Sequence, residues 1–320
     1  MKNRYLYLSI LVALGLTACD AETVRVVSVD GSVAQESNTD SNTTEGSTDA
    51  DSDGTTETAD STDSTDTVLT SDTRGLLAEP DRLHNLVGLV KVEAVNSDTD
   101  FSRGIFTRMD TPLTAQNILE YFVPASDFCE VTRYNAAYPQ GNAFMIYDQE
   151  PTLISAGADI TLNTATANYA TLERQIVEGT GLIYRSNTPL SENIPAGLVL
   201  DVPGEVYPGF ANVALSTVPA LQIQSPAAND QVTANTQFQW NANSDPLSVF
   251  EIYLGATSPE TNQVIEIGCT VIDDGQFTFD ATTRADVGED FTADWFSVLR
   301  VVYDVAESEE GILFVANSVN

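Results

Sequence analysis

Histidine is nearly missing from this chain: its 320 residues contain one, His84. That excludes a metal centre built on several imidazoles and leaves a histidine triad at most one candidate member. Cations are scarce too, with 13 Lys and Arg against 47 Asp and Glu and a net charge of −34. Phosphate recognition needs clustered cations, so nucleic acid is excluded as a partner. The same imbalance argues against electrostatic adhesion to anionic lipid. No glycine-rich phosphate loop, zinc-ligand spacing or Gly-x-Ser-x-Gly elbow occurs. The one long apolar run, residues 5–18, is 14 residues, short of the ~20 that cross a bilayer. What remains is a surface dense in carboxylates, the composition of a solvated acidic protein.

The short apolar run is informative all the same. Lys2 and Arg4 precede it, and Leu16-Thr17-Ala18-Cys19 closes it. A positive start, an apolar stretch and small residues before a cut make a secretory signal. This layout resembles the signal peptide and lipobox of bacterial lipoproteins. The resemblance implies removal of residues 1–18, a lipid on the Cys19 thiol and a mature protein tethered to a membrane of the cell envelope. The outer membrane or the cell surface is the expected location. Asp20, directly after the lipidated cysteine, resembles the inner-membrane retention signal of enterobacterial lipoproteins. Cleavage leaves 11 bases against 47 acids, a charge of −36.

With Cys19 set aside, Cys129 and Cys269 are the remaining cysteines, 140 positions apart. An exported compartment is oxidising enough for a disulfide to persist. Two readings stand side by side: one bridge tying two halves of the body together, or two unrelated buried thiols.

Residues 20–74 change composition abruptly. Residues 31–67 are Ser, Thr, Asp, Asn, Glu and Gly with almost nothing apolar. Such a segment buries too little surface to offset its chain entropy and is expected to be a disordered tether. Between Asp20 and Gly75 stand 14 acids, with Arg25 and Arg74 the only bases. A neutral flexible chain of this length spans roughly 40 Å, and self-repulsion extends it further. Asp49-Ala-Asp51-Ser-Asp53-Gly54 matches the first half of a calcium loop. Its second half fails, because Thr56 replaces the apolar anchor and Asp60 the bidentate Glu. Residues 24–33 are a small β-prone exception to the polarity.

From Leu76 the chain regains apolar content with the period of strands. Residues 86–95 are rich in Val and Leu and bounded by polar turns, and 104–109, 128–134, 158–162, 169–174, 181–184, 197–202 and 210–215 read alike. One short helix is expected near residues 112–122, capped by Thr111, with Pro112 in its first turn and Pro124 after its end. A boundary falls near Thr217-Val218-Pro219-Ala220. Beyond it come Phe238-Gln239-Trp240, Phe250-Glu251-Ile252-Tyr253-Leu254 and an apolar strand ending in Tyr303. Over residues 219–320 this pattern resembles a fibronectin-III or immunoglobulin-like sandwich. The Cys…Trp…Cys spacing of antibody domains is absent, which favours the fibronectin-like version. Through Ile154-Ser155-Ala156-Gly157 and Cys269-Thr270-Val271-Ile272-Asp273-Asp274-Gly275, the whole body also resembles a loose type of uncharacterised bacterial lipoprotein with successive β-domains, a likeness that implies no activity. The expected class is all-β: a signal over 1–18, a tether over 19–75, and two consecutive β-sandwich-like domains over 76–218 and 219–320.

Chemistry must come from carboxylates if it comes at all. His84 lies in the polar lead-in Asp81-Arg82-Leu83-His84-Asn85 and reads as a solvated surface histidine. Sugar hydrolysis needs two carboxylates about 5–10 Å apart, and 33 acids lie between Leu76 and Asn320. Asp273-Asp274, beside Gly275, is a second calcium candidate. With Glu289-Asp290 and Glu307-Glu309-Glu310 it also reads as solvated turn charge. Tyr134, Tyr138, Tyr207 and Phe210 lie in Pro/Gly/Asn-rich stretches and are candidates to stack on sugars, or packing residues. No cofactor is implied; calcium is the one ion for which candidate ligands occur. The expected role is a non-enzymatic binding or structural one toward an envelope or extracellular protein or glycan. A carbohydrate-binding module and a carboxylate-dependent glycan hydrolase are the alternatives.

Overall fold

The computed structural model describes residues 69–70, 80–94, 102–135, 152–177, 181–187, 190, 194–227, 230–258, 261–288 and 290–319. The signal, Cys19, the Asp49–Asp51–Asp53 segment, Tyr138 and nearly all of the acidic stretch lie outside these residues. The described residues are mostly strand, with two short helices among them.

The strands are β1 (Leu69–Thr70), β2 (Leu83–Ala94), β3 (Arg103–Thr114), β4 (Phe128–Asn135), β5 (Thr152–Leu153), β6 (Asp159–Asn163), β7 (Asn168–Val177), β8 (Gly181–Ser186), β9 (Val199–Val202) and β10 (Phe210–Ala214). They continue as β11 (Ile223–Ser225), β12 (Gln237–Trp240), β13 (Ser248–Thr257), β14 (Gln263–Ile272), β15 (Gln276–Thr278), β16 (Trp295–Glu307) and β17 (Ile312–Val319). The helices are α1 (Ala115–Phe122) and α2 (Ala281–Val287). One sheet runs β10-β9-β6-β7-β8-β3-β2-β17-β16-β13-β14-β4, with β1 on β16 and β5 on β3. A second, three-stranded sheet runs β11-β12-β15. Within these sheets β17–β2 is the parallel pair; the others are antiparallel.

β2, β13, β16 and β17 are buried on both faces, which explains their long apolar runs. Their alternate residues feed different cores. Val87, Leu89, Tyr253, Leu299, Val301, Tyr303 and Phe314 pack under α1, which contributes Ile118, Leu119 and Phe122. The opposite faces of β2 and β17 send Val90, Val92, Leu313 and Val315 into a core with β6, β7 and β9. The opposite face of β13 packs Phe250, Ile252 and Leu254 against Phe238, Trp240 and Phe277 of the small sheet. Close approach needs glycine at two places. A Cβ on Gly88 would stand 2.7 Å from the Tyr207 hydroxyl, and one on Gly255 would stand 2.6 Å from the Trp295 ring.

Residues 217–220 fall in an irregular link between β10 and β11. The large sheet nevertheless crosses that boundary twice. The four strands β17-β16-β13-β14 are flanked on one side by β2 and on the other by β4. Both flanking strands come from the first half, and α1 carries the chain from β3 to β4 over the face between them. The described residues accordingly belong to one compact unit. Leu69–Thr70, inside the stretch read as tether, pair with Glu307 and Ala306, so the body starts earlier than Leu76.

The helix starts later than the sequence suggests. Thr111 to Leu113 continue β3, and Thr114 is the cap, its hydroxyl accepting from the Asn117 N–H at 3.0 Å. Pairing of Leu113 with His84 holds those residues extended. Helix α2 was not anticipated; Asp280 caps it by accepting from the Thr283 N–H at 2.6 Å.

Candidate functional site

Two buried polar clusters lie back to back on the strand pair β13–β16. In that pair Phe250 faces Arg300 and Glu251 faces Leu299. Alternation sends Arg300 to one side of the sheet and Glu251 to the other.

On the first side the Arg300 guanidinium, 0% exposed, grips the Asp273 carboxylate. Nε donates to Oδ2 at 2.7 Å and Nη2 to Oδ1 at 3.2 Å. The Trp240 indole N–H donates to Oδ1 at 2.6 Å and the Ser248 hydroxyl to Oδ2 at 2.6 Å. The remaining guanidinium donors reach the carbonyls of Pro219, Ala220 and Asn241. Trp240 also stacks on Phe250 with ring centres 3.8 Å apart. Every polar atom is matched, which is what makes a buried ion pair tolerable. Asp273 is thus neither solvated turn charge nor open to the calcium ion for which it was a candidate: both its oxygens are committed to Arg300, Trp240 and Ser248. Asp274 stabilises the turn instead, accepting from the Gln276 N–H at 3.1 Å beside Gly275, whose φ is 96°.

On the other side Lys91 and Glu93 form an ion pair at 3.1 Å, both almost wholly buried. Glu251 lies close enough to feel both charges and accepts from the Tyr253 hydroxyl at 2.7 Å. Its second oxygen, Oε1, has no hydrogen-bond partner among the described residues. Burial pushes the Glu251 carboxyl up to about 7, against the attraction of Lys91 and the Tyr253 hydrogen bond. Tyr253 is pushed well above the usual phenol range, first by burial and then by the Glu251 carboxylate. Glu130, on β4, is also raised to about 7 by burial, and its Oε2 lacks a partner among the described residues. Glu130 pairs in register with Gly268, which pairs with Tyr253, so these positions share one row. Sequence reasoning did not single out Lys91, Glu93, Glu130 or Glu251. The signal was present: charged residues inside otherwise apolar runs, as in Val90-Lys91-Val92-Glu93 and Phe250-Glu251-Ile252.

Other expectations fare differently. His84 is not a surface residue; it is 1% exposed, with Nε2 at 2.9 Å from the Glu307 carboxylate. Burial lowers its pKa against the pull of Glu307. Glu307 is correspondingly buried at the end of β16, while Glu309 and Glu310 are exposed as turn charge. Tyr207 and Phe210 are core residues, at 0% and 1% exposure, and Tyr207 donates to the Ile312 carbonyl at 2.8 Å. Tyr134 is half-buried and lines an open cavity of about 330 Å³ with Asn135, Thr261 and Gln263. Cys129 and Cys269 are joined by a disulfide, directly opposite each other on β4 and β14.

Among the described residues no group of three His, Cys, Asp or Glu could hold a metal ion, and no helix is long and apolar enough to cross a membrane. No protein-family model, curated protein or solved structure matches the chain.

Proposed function

We propose that this chain is a lipid-anchored protein of the bacterial envelope whose β-rich body binds another envelope or extracellular component and does not catalyse. Cys19 carries the lipid, and the acidic stretch after it acts as a spacer. The reading of the body rests chiefly on one observation: among the described residues, the acids set into the interior of the large sheet are closed to substrate. Glu251 is 0%, Asp304 1%, Asp273 2% and Glu93 3% exposed. A hydrolase needs its acid and base within reach of the scissile bond. The cavity that opens at Tyr134 is lined by neutral side chains. The packing of β11-β12-β15 against β13, β14 and β16, with Cys129 and Val131 of β4 joining the same core, supports a sandwich-like arrangement around residues 219–320.

A single comparison tests the anchoring. Cells producing the full chain are labelled with a fatty acid and extracted into detergent. The wild-type protein takes up label and enters the detergent phase, and Cys19→Ser does neither. Label retained by Cys19→Ser, or wild-type protein found entirely in the aqueous phase, would overturn the reading.

One observation favours the enzyme alternative. Glu251 is held at about 7 beside Glu93, Lys91 and Tyr253, the poise expected of a general acid. Glycan hydrolysis abolished by Glu251→Gln would move the assignment to that class.

A further inference from the structure

We infer that residues 80–85 form a clasp that opens in acid, when a proton enters the buried ring of His84. The clasp is a device of the fold and does not depend on what the body binds.

The segment joins two elements at one corner of the large sheet. The carbonyls of Pro80 and Arg82 accept from the Gln116 and Ala115 N–H groups, each at 2.9 Å. Those are donors in the first turn of α1, which the helix cannot satisfy by itself. Pairing of Leu83 with Thr114 and of His84 with Leu113 sets the segment beside the cap of that helix. On its other side Arg82 donates from Nη1 to the Ser308 carbonyl at 3.2 Å, in the turn between β16 and β17. The Ser308 N–H to Gly311 carbonyl bond at 2.9 Å closes that turn. His84 completes the clasp, with Nε2 2.9 Å from the Glu307 carboxylate at the end of β16. Between His84 and Leu86 the register shifts, which sets the clasp apart from the regular part of β2.

A carboxylate only accepts, so Nε2 carries the hydrogen and Nδ1 is the bare nitrogen. Nδ1 is buried and has no hydrogen-bond partner among the described residues. A second proton must go there, where it meets no acceptor. Burial opposes the imidazolium most, Glu307 from β16 favours it, and Arg82 from the segment itself opposes it. The closest pairings add no charge: Leu113 from β3, Ala115 and Gln116 from α1, and Leu69 of β1, which pairs with Glu307. Asp81, Arg108, Asp110, Glu309 and Glu310 are exposed. Opening returns the ring to water, where Nδ1–H finds an acceptor. A proton therefore favours the open form, and opening increases as pH falls below 6.5. Glu251 and Glu130 act in the opposite sense, because the folded sheet holds their protons more tightly than the unfolded chain does. The opposed signs separate the clasp from general unfolding in acid.

The test uses the full mature chain without a histidine tag, so that the one imidazole signal in the NMR spectrum belongs to His84. Ring C–H shifts are followed from about pH 8 to about pH 4.5, and amide exchange, corrected for its intrinsic pH dependence, is measured over the same range. The ring titrates below 6.5. Through that titration the Ala115 and Gln116 amides lose protection about fivefold or more, while amides in β13 and β16 keep or gain it. Folded His84→Asn shows no such loss. The inference falls if the ring titrates at or above 6.5, or if Ala115 and Gln116 keep their protection throughout. It falls equally if β13 and β16 lose protection to the same extent, or if folded His84→Asn behaves as the wild type does. All but the last of these results are read on the wild-type chain and decide the matter even if His84→Asn does not fold.

Discussion

Arg300 and Glu251 sit one register step apart on the same pair of strands, yet their surroundings differ completely. Arg300 meets an ion-pair partner, an indole, a hydroxyl and three carbonyls, and nothing in that cluster is left over. Glu251 has one phenol, a neighbouring ion pair and an oxygen without a partner among the described residues. The difference teaches that burial alone does not decide what a charge does. Completeness of the hydrogen bonds decides it. A closed cluster stabilises the fold that surrounds it, whereas an incomplete one costs stability and titrates within the physiological range.

The largest effect is expected from opening the closed cluster. Arg300→Ala leaves the Asp273 carboxylate buried and unpaired, and should lower unfolding free energy by about 3–5 kcal/mol. Urea denaturation measures it directly. A loss under about 1 kcal/mol would erase the contrast between the two clusters.

Next in size is the bridge between Cys129 and Cys269. It pins β4, the edge strand that lies beyond the four strands of the second half. Its removal by Cys129→Ala with Cys269→Ala should cost about 2–5 kcal/mol. Hydrogen exchange should then quicken in β4 before it does in β2. Uniform quickening across the sheet would show that the bridge acts on the body as a whole.

Glu251→Gln should act in the opposite direction to Arg300→Ala. Glu251 and Glu130 are raised from 4.5 to about 7 in the folded state. Between those values the folded chain holds protons that the unfolded chain has released, so stability falls as pH rises from about 4.5 to about 7. The amide removes the Glu251 share of that slope and should stabilise the protein by about 1–3 kcal/mol at pH 8. Denaturation midpoints at pH 5, 6, 7 and 8 decide the matter. An unchanged slope would mean that Glu251 is better satisfied than the structure indicates.

His84 provides the smallest and opposite contribution. Its folded pKa lies below 6.5, so the unfolded chain binds the extra proton first on acidification, and stability falls as pH drops below 6.5. His84→Asn should flatten that acid limb while leaving the Glu251 slope in place.

Much of the architecture was legible beforehand. Short strands between polar turns gave the all-β class, and Trp240 with the strands after it gave a sandwich-like second half. The interlocking of the halves was not legible, because pairing of β2 with β17 and of β4 with β14 joins residues more than a hundred positions apart. Local periodicity carries no information about which distant strand becomes a neighbour. For the site, the turn at Asp273 is visible in the sequence but its burial is not, since its partner Arg300 lies 27 positions away inside an apolar run. His84 was misread for the same reason, with Glu307 supplying the pairing that allows its burial. Glu251 could have been found by asking why a charge interrupts Val249-Phe250-Glu251-Ile252.

The central proposal is that the body binds and does not cleave, with Glu251 buried out of reach of a substrate. The most direct measurement is release of new reducing ends from a panel of soluble neutral and acidic oligosaccharides by the full chain between pH 5 and 7, with Glu251→Gln in parallel. No release above the enzyme-free control is expected from either protein. Release by the wild type that disappears in Glu251→Gln would contradict the claim.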